Sequence, residues 1–208
     1  MSRGQLSQPP DNSARDGAAD KTALRDQLLT TRRRRSLLDV GESAVALSGV
    51  VLDLPEVRRA ATVACYVSMG HEPGTSHLLA GLDAAGKRVL LPVLLPDGDL
   101  DWGVYAGDQS LVPARMGLLE PDGPRLGVDA IATADVVLVP GLAVSSSGMR
   151  MGRGGGSYDR ALGRVPVGTP TACLLYDDEV GIVVPVEPHD RPVLAAVTPT
   201  RAVRFPAG

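Results

Sequence analysis

The chain contains Val136-Val137-Leu138-Val139-Pro140-Gly141, followed shortly by Gly148-Met149-Arg150-Met151-Gly152-Arg153-Gly154-Gly155-Gly156-Ser157-Tyr158-Asp159-Arg160. The first stretch predicts a buried strand, and the second predicts a glycine-rich loop with a helix beginning near Ser157. Because glycine has no Cβ, successive backbone N–H groups of such a loop can turn toward one anion, while arginines neutralise its charge. Ligands of α/β sheets collect at strand carboxyl ends and helix N-termini. The segment therefore predicts a nucleotide-phosphate site.

The glycine cluster alone is also typical of a flexible surface loop with solvated arginines. Its place between a predicted strand and a predicted helix favours the phosphate interpretation. The cluster has neither the Gly-Lys-Ser/Thr sequence of a P-loop nor the glycine spacing of a dinucleotide fingerprint. A phosphate site outside both of these classes is therefore predicted.

Around this segment, helix-like and strand-like patterns alternate along the chain. Two N-terminal helices are predicted, one over 21–38 and one through Ala44, Leu47, Val51 and Leu54. The turn Pro96-Asp97-Gly98-Asp99 leads into an extra strand over 100–105 at a sheet edge. Further helices are predicted around 76–85 and 158–162, and strands over 61–67, 88–93, 136–139, 171–175 and 194–197. The fold class is α/β: a single domain with a mostly parallel sheet flanked by helices on both faces, N-terminal helices and an edge hairpin.

Composition limits the possible functions of these 208 residues. Residues 1–20 are polar and predict a disordered tail, which leaves 21–208 as one domain. The net charge of −3 gives no general attraction to nucleic acid or to an anionic membrane. Cys65 and Cys173 lie in separate apolar runs and predict reduced core thiols. No apolar run is long enough to cross a bilayer, and a cytoplasmic monomer is expected.

Short segments in a fixed order resemble the 5-formyltetrahydrofolate cyclo-ligase family, also called 5,10-methenyltetrahydrofolate synthetases. The likeness extends from Lys21 to the end of the chain. The family's Lys-x-x-Leu-Arg is similar to Lys21-Thr22-Ala23-Leu24-Arg25, and its Phe-Leu-Ser-Met-x-x-Glu is similar to Tyr66-Val67-Ser68-Met69-Gly70-His71-Glu72. Its Gly-Ile-x-Glu-Pro is similar to Gly117-Leu118-Leu119-Glu120-Pro121, and its Val-Pro-Gly-Leu-Ala to Val139-Pro140-Gly141-Leu142-Ala143. Its late Pro-x-x-x-His-Asp is similar to Pro185-Val186-Glu187-Pro188-His189-Asp190.

The resemblance implies the ATP- and Mg²⁺-dependent cyclisation of 5-formyltetrahydrofolate, with or without a polyglutamate tail, to 5,10-methenyltetrahydrofolate. ADP and phosphate are released, and a phosphorylated formyl intermediate is implied. Such phosphoryl transfer depends on positioning and charge neutralisation more than on covalent catalysis by the protein. Basic loops and one or two carboxylates meet these needs.

The resemblance also implies the residues that bind ATP. Lys21 and Arg25 stand four apart and share one helix face, for which a solvated surface is the alternative. Arg153 is the candidate catalytic residue, which stabilises the charge of the transferred phosphate. The full implied ATP set is Lys21, Arg25, Arg150, Gly152, Arg153, Gly154, Gly155, Gly156, Ser157 and Tyr158.

Two carboxylates, Asp159 and Asp190, match the magnesium-associated residues of the family, since ATP-bound magnesium takes one or two protein carboxylates. Asp159 as a helix N-terminal residue, and Asp190 as part of a turn with His189, are the alternatives. Glu72 matches a folate contact, because a carboxylate accepts hydrogen bonds from a pterin. The implied substrate set is Val67, Met69, Glu72, Arg153, Ser157 and Tyr158.

Other features are open to two interpretations. Trp102 and Tyr105 could stack on a flat ring or pack at the sheet edge. The run 32–35 of four arginines is interpreted as a solvated helix end. Many family members have Gly-Tyr-Tyr-Asp where this chain has Ser157, and some have lysine at Gly155. The alternatives to the cyclo-ligase are another ATP-dependent enzyme on this scaffold and a non-catalytic nucleotide- or folate-binding protein.

Overall fold

The computed structural model describes residues 13–187 and 190–206 of the chain. Short 3₁₀ turns connect several of its elements. The helices are α1 (Ser13–Arg33), α2 (Leu37–Asp53), α3 (Pro55–Arg59), α4 (Ser76–Ala84) and α5 (Ser157–Leu162). The strands are β1 (Thr62–Ala64), β2 (Arg88–Leu94), β3 (Leu100–Val104), β4 (Leu111–Pro113), β5 (Leu119–Pro121), β6 (Val136–Pro140), β7 (Ala143–Val144), β8 (Arg150–Met151), β9 (Thr171–Leu174), β10 (Ala195–Val197) and β11 (Ala202–Arg204).

The main sheet of the described residues has seven strands in the order β11-β10-β9-β6-β1-β2-β3. Its inner strands β10, β9, β6, β1 and β2 run parallel, and β11 and β3 pair antiparallel at the two edges. The predicted edge hairpin is confirmed, because β2 and β3 pair from Leu90↔Val104 to Leu94↔Leu100 around the predicted turn. The predicted α/β class with a mostly parallel sheet is also confirmed.

Both faces of the sheet are buried, as expected for parallel strands that are almost wholly apolar. One face packs against α2, α3 and α4 through residues such as Leu47, Val57 and Leu78. The other face packs against α5 and the 3₁₀ turn that contains Ile131. The thiols of Cys65 and Cys173 are free and buried, as predicted, one on each face.

The first helix begins earlier than predicted. Residues 1–12 of the predicted disordered tail lie outside the described residues, but α1 starts at Ser13 and so includes the predicted boundary at residues 20 and 21. Leu28 anchors α1 in a small apolar cluster with Leu142 and Met151. Extending an anchored helix costs less than nucleating one, so it continues toward the N-terminus.

The two predicted N-terminal helices are present, but the first ends at Arg33 rather than near residue 38, and residues 37 and 38 belong to the second. Ser36 caps α2: its Oγ accepts from the Asp39 N–H at 3.1 Å, and Asp39 Oδ2 accepts from the Ser36 N–H at 3.3 Å. This reciprocal capping box fixes the start of α2 at Leu37. Helix α2 ends at Asp53, two residues before Pro55 opens α3.

The aromatic residues of the edge hairpin are core residues. Trp102 packs with Leu90 and Leu100 on one face of the sheet, and Tyr105 belongs to the cluster on the other face. The Tyr105 hydroxyl donates to Asp108 Oδ1 at 2.6 Å. Of the two interpretations open for these residues, packing at the edge is therefore supported. Among the described residues, no helix is long and apolar enough to span a bilayer.

Candidate active site

A cleft of about 990 Å³ opens where the strand order changes direction. Strand β1 lies between β6 and β2, so the chain runs one way from β1 to β2 and the other way to β6. Such a switch point leaves a crevice at the strand carboxyl ends. Pro140 and Gly141 at the end of β6, and Tyr66 shortly after β1, line this crevice.

The cleft unites every site residue that the sequence analysis singled out. They come from the first helix, the segment after β1, the glycine loop and the segment after residue 184. The cleft-lining residues among them are Lys21, Arg25, Val67, Met69, Glu72, Arg150, Gly152, Arg153, Gly154, Gly155, Gly156, Ser157, Tyr158, Asp159 and Asp190.

The glycine loop bridges β8 and α5. Gly154 and Gly156 have positive φ values of 100° and 66°, which side chains with a Cβ adopt only under strain. A Cβ at Gly154 would also stand 3.2 Å from the Arg25 guanidinium carbon. Arg25 Nε donates to the Gly152 carbonyl at 3.2 Å. The glycines therefore let the loop approach α1 closely, and the predicted face shared by Lys21 and Arg25 lies against the cleft.

Arg150 is a buried cation beneath the loop. Its guanidinium donates to the Pro140 carbonyl at 3.2 Å and to Asp159 Oδ1 at 2.9 Å. Asp159 lies in the first turn of α5, and its Oδ1 also accepts from the Arg191 N–H at 3.3 Å. Asp159 is therefore paired with a cation as well as being placed at a helix N-terminus.

Lys21 is buried and lies between two carboxylates. Its Nζ donates to Glu187 Oε2 at 2.7 Å and to Asp190 Oδ2 at 2.6 Å. Burial lowers the pKa of Lys21, but hydrogen bonds to Asp190 and Glu187 outweigh it and the net pKa is raised. Asp190 forms a turn with Glu187, whose N–H donates to Asp190 Oδ2 at 2.7 Å. The predicted turn partner His189 lies outside the described residues.

Arg153 and Glu72 form an ion pair across the cleft. Arg153 Nε lies 3.0 Å from Glu72 Oε1, and the arginine side chain is 50% exposed against 7% for the glutamate. Glu72 Oε2 accepts from the Met69 N–H at 2.8 Å, which fixes the carboxylate. The candidate catalytic arginine and the candidate folate carboxylate therefore bind each other in this structure.

The run 32–35 is not a uniformly solvated helix end, which corrects the prediction. Arg33 and Arg34 are exposed, but Arg32 is buried and donates to Glu179 Oε1 and Oε2 at 2.7 and 2.8 Å. Arg32 also donates to the Gly141 carbonyl at 2.6 Å. Arg35 lies over the Tyr176 ring, 3.9 Å from its centroid. Arg32 continues the buried face of Lys21 and Leu28 at helical spacing, but its partners, 109 and 147 residues away, could not be identified from the local sequence.

Sequence reasoning also missed one wall of the cleft. Strands β4 and β5 form a small hairpin whose residues Met116, Leu118 and Leu119 line the cleft. Glu120 of the same hairpin accepts from the Leu94 N–H at 2.9 Å and so ties it to the main sheet. The family-like motif at 117–121 could have pointed to this wall, since it includes Leu118 and Leu119, but no role followed from the motif alone.

The two predicted metal carboxylates both lie in the cleft, where each is paired with a basic side chain. Asp159 and Asp190 both line the cleft and are connected through Arg191, the residue after Asp190, whose N–H contacts Asp159. Within 13–187 and 190–206, no group of three or more His, Cys, Asp or Glu residues could hold a metal ion on its own. Two carboxylates suit magnesium that arrives with its phosphates, because that ion keeps several waters.

Two relatives named as cyclo-ligases match most of the chain. A 5-formyltetrahydrofolate cyclo-ligase of Mycolicibacterium smegmatis is 41% identical over 188 residues, which cover 88% of this chain and 95% of that protein. A 5-formyltetrahydrofolate cyclo-ligase of Escherichia coli K12 is 35% identical over 183 residues, which cover 82% of this chain and 96% of that protein.

Solved structures and a family model give the same result. The NMR structure of an Aquifex aeolicus 5,10-methenyltetrahydrofolate synthetase superposes with a TM-score of 0.77 at 26% identity, covering 90% of this chain and 94% of that one. A Mycoplasma pneumoniae 5,10-methenyltetrahydrofolate synthetase shares the fold at a TM-score of 0.69 and 19% identity, covering 86% of this chain and 99% of that one. The model of the 5-formyltetrahydrofolate cyclo-ligase family matches residues 17–199. The chain therefore belongs to the 5-formyltetrahydrofolate cyclo-ligase family.

Proposed function

We propose that this chain converts 5-formyltetrahydrofolate to 5,10-methenyltetrahydrofolate with consumption of ATP and release of ADP and phosphate. One observation carries the proposal: a single cleft contains both the glycine loop with its arginines and the carboxylate of Glu72. Phosphate-binding groups and a pterin acceptor are thereby close enough to act on two substrates that react with each other. Family membership supports the same reaction.

The reaction needs the formyl oxygen to become a leaving group. Transfer of the ATP γ-phosphoryl group to that oxygen, followed by attack of folate N10 on the formyl carbon, expels phosphate and closes the ring. Charge on the transferred phosphoryl group is the main quantity that the protein can stabilise. Arg153 is suited to this role because its half-exposed guanidinium can move within the cleft, whereas Arg150 is buried and held by Pro140 and Asp159.

The nucleotide would bind between α1 and the glycine loop. Lys21 and Arg25 bring positive charge from the helix, and the loop 152–156 brings backbone N–H groups, which together bind phosphates. Ser157 and Tyr158 continue the same wall. Asp159 and Asp190 would hold Mg²⁺, which neutralises phosphate charge when bound. Lys21 would then share Asp190 with the ion.

The folate would bind on the β1 side of the cleft. Glu72 can accept hydrogen bonds from the pterin, and Val67 and Met69 offer an apolar wall. Since Arg153 occupies Glu72 Oε1 in this structure, folate binding exchanges one partner of that carboxylate for another. The exchange releases Arg153 toward the phosphate. Binding of polyglutamylated folates and a cytoplasmic, monomeric state stay predictions.

Some family members have lysine where this chain has Gly155, and the structure has room for a side chain at this position. A Cβ at Gly155 would meet only Ser157 Oγ, at an ordinary contact distance of 3.5 Å. Arg25, Arg150 and Arg153 all line the same part of the cleft and supply the positive charge that such a lysine would add. We therefore expect activity without the lysine.

The test is the near-ultraviolet absorbance of the methenyl product after mixing the protein with 5-formyltetrahydrofolate, ATP and Mg²⁺. An absorbance rise that needs all of these components is expected. Stoichiometric ADP release, measured in parallel, checks the coupling of the two half-reactions. ADP release without folate would favour another ATP-dependent reaction on this scaffold. Thermal stabilisation by ATP or folate without any turnover would favour a binding protein.

A further inference from the structure

The hydroxyl of Tyr66 is buried and has no hydrogen-bonding partner among the described residues. The residue is 3% exposed, and it lies both in the hydrophobic core and in the wall of the cleft. A buried polar group without a partner is costly, so buried hydroxyls in proteins are nearly always bonded to protein, water or ligand. Because Tyr66 also lines the cleft, a molecule bound there is a suitable partner for this hydroxyl.

The backbone around Tyr66 cannot easily move to satisfy this hydroxyl. The Tyr66 carbonyl accepts from Thr75 Oγ1 at 2.8 Å, and the same Oγ1 accepts from the Ser68 N–H at 2.9 Å. Ser68 Oγ in turn accepts from the Thr75 N–H at 3.0 Å. These bonds close the segment 66–75 on itself and hold the backbone of Tyr66 in place. An unpaired donor on a backbone held in this way is the arrangement expected of a recognition group.

The identity of this residue also differs from the family motif. The matching segment of the motif begins with phenylalanine, so Tyr66 adds a hydroxyl on the β1 side of the cleft. Ser157 replaces a tyrosine of the motif on the glycine-loop side, and both positions line the cleft. The chain thus gains a phenolic hydroxyl at one wall and lacks one at another.

We propose that the Tyr66 hydroxyl hydrogen-bonds the polar edge of the bound folate ring, next to Glu72, and thereby contributes to substrate specificity. The inference rests on the proposed function. The folate ring is favoured over the nucleotide because Tyr66 directly precedes the segment of Val67, Met69 and Glu72. A phenol can donate and accept, and a reduced pterin presents both kinds of group along its edge. Burial raises the pKa of Tyr66, so the hydroxyl keeps its proton.

The test is Tyr66→Phe, which removes the hydroxyl and keeps the ring. We expect the Kd of 5-formyltetrahydrofolate, measured calorimetrically, to rise between about threefold and tenfold, as for the loss of one hydrogen bond. The Kd of ATP should be unchanged, and the thermal midpoint should not fall. Tyr105→Phe is the matched control: its hydroxyl is bonded to Asp108 outside the cleft, so folate affinity should be unchanged while stability falls.

Three results would overturn the inference. An unchanged folate Kd in Tyr66→Phe, with a lower midpoint, would place the hydroxyl in an internal water-mediated bond. A weaker ATP Kd with an unchanged folate Kd would assign it to the nucleotide. If the unmodified protein does not bind 5-formyltetrahydrofolate, the proposed function fails together with this inference, whereas the first two results leave that function intact.

Discussion

Two arginine–glutamate pairs near the cleft differ in their exposure to water. The Arg32–Glu179 pair is sealed, with side-chain exposures of 2% and 4%, and both carboxylate oxygens accept from the guanidinium. The Arg153–Glu72 pair uses one oxygen, and its arginine is 50% exposed. The same residue types therefore form a fixed connection in one place and an exchangeable one in the other.

The difference is the one expected between a structural pair and the proposed ligand-binding pair. Arg32 connects α1 to Gly141 and Glu179, so it holds the helix that carries Lys21 and Arg25 against the end of β6. Arg153 connects two walls of the cleft that a substrate would occupy. A buried charge that loses its partner destabilises the fold, whereas a half-exposed charge is solvated at little cost. Substitutions in the buried pair, in the half-exposed pair and in their surroundings test this contrast.

Replacing the sealed arginine should have the largest effect. Arg32→Met leaves Glu179 buried without its cation and should lower the free energy of unfolding by about 3–5 kcal/mol. Urea denaturation measures this loss, and Arg33→Met on the exposed side of α1 is the matched control, expected near zero. The double variant Arg32→Met/Glu179→Met should regain much of the loss. A stable single variant would mean that the pair does not hold α1.

The exposed arginine should show the opposite behaviour. Arg153→Ala should lower turnover on the order of 100-fold, as for the loss of a donor that stabilises transition-state charge. The free energy of unfolding should change by no more than about 0.5 kcal/mol. Arg58→Ala, at an exposed site on α3, controls for the loss of a surface charge. Equal losses of stability and turnover would contradict the contrast.

Gly141, the carbonyl partner of Arg32, tests how closely the sealed region is packed. A methyl group at Gly141 would collide with Cys173 Sγ in the core. We expect Gly141→Ala to cost about 1–3 kcal/mol of unfolding free energy, as for other overpacked sites. Gly41→Ala is the control, since nothing lies within 4 Å of a Cβ there and α2 should gain stability. If Gly141→Ala leaves the free energy of unfolding unchanged, the packing around Cys173 accommodates an added methyl group.

The Asp99–Arg164 pair is intermediate, with side-chain exposures of 14% and 26%. The hydrogen bond from Arg164 lowers the pKa of Asp99 below its ordinary 3.8. The stabilisation that this ion pair gives the fold is therefore present above pH 3.8 and is lost as the pH falls through the lowered pKa of Asp99.

Asp99→Asn should cost up to about 1 kcal/mol of unfolding free energy at pH 7. The difference from the unmodified protein should shrink in urea denaturation series carried below pH 3.8. Asp122→Asn, at an exposed position, is the matched control for replacing a carboxylate by an amide, and it should cost close to nothing at pH 7. A difference that stays constant over this pH range would exclude the ion pair as its source.

The sheet was predictable because its signals are local. Continuous apolar runs marked the strands, and the turn residues at 96–99 marked the edge hairpin. The site residues were found through short motifs, and the cleft brings all of them together. Their separation along the chain gave no indication of which would pair with each other, so the Glu72–Arg153 contact was not foreseen.

The wrong predictions concern residues whose burial depends on partners far away in the sequence. Arg32 and Arg33 are neighbours in one basic run, yet one is buried and the other is exposed, because only Arg32 meets Glu179. Helical spacing separates them, since Arg32 lies on the same face of α1 as Lys21, Arg25 and Leu28 and Arg33 does not. The pairing of Arg32 with Glu179 could not be read from that spacing. The apolar residues of the small hairpin were likewise overlooked, since a two-strand unit has little pattern until it packs against a sheet.

Residues from near both ends of the described chain line the cleft. The contact between Lys21 and Asp190 spans 169 residues, whereas the glycine loop and α5 are local. On the ribosome, a growing chain would therefore have strands β1 to β9 and the glycine loop before it has the Asp190 side of its cleft. Closing the contact with Lys21 must await the emergence of the segment after β9, because long-range contacts form only after distant parts of the chain are brought together. The proposed nucleotide would therefore find a complete site only after synthesis has passed Asp190.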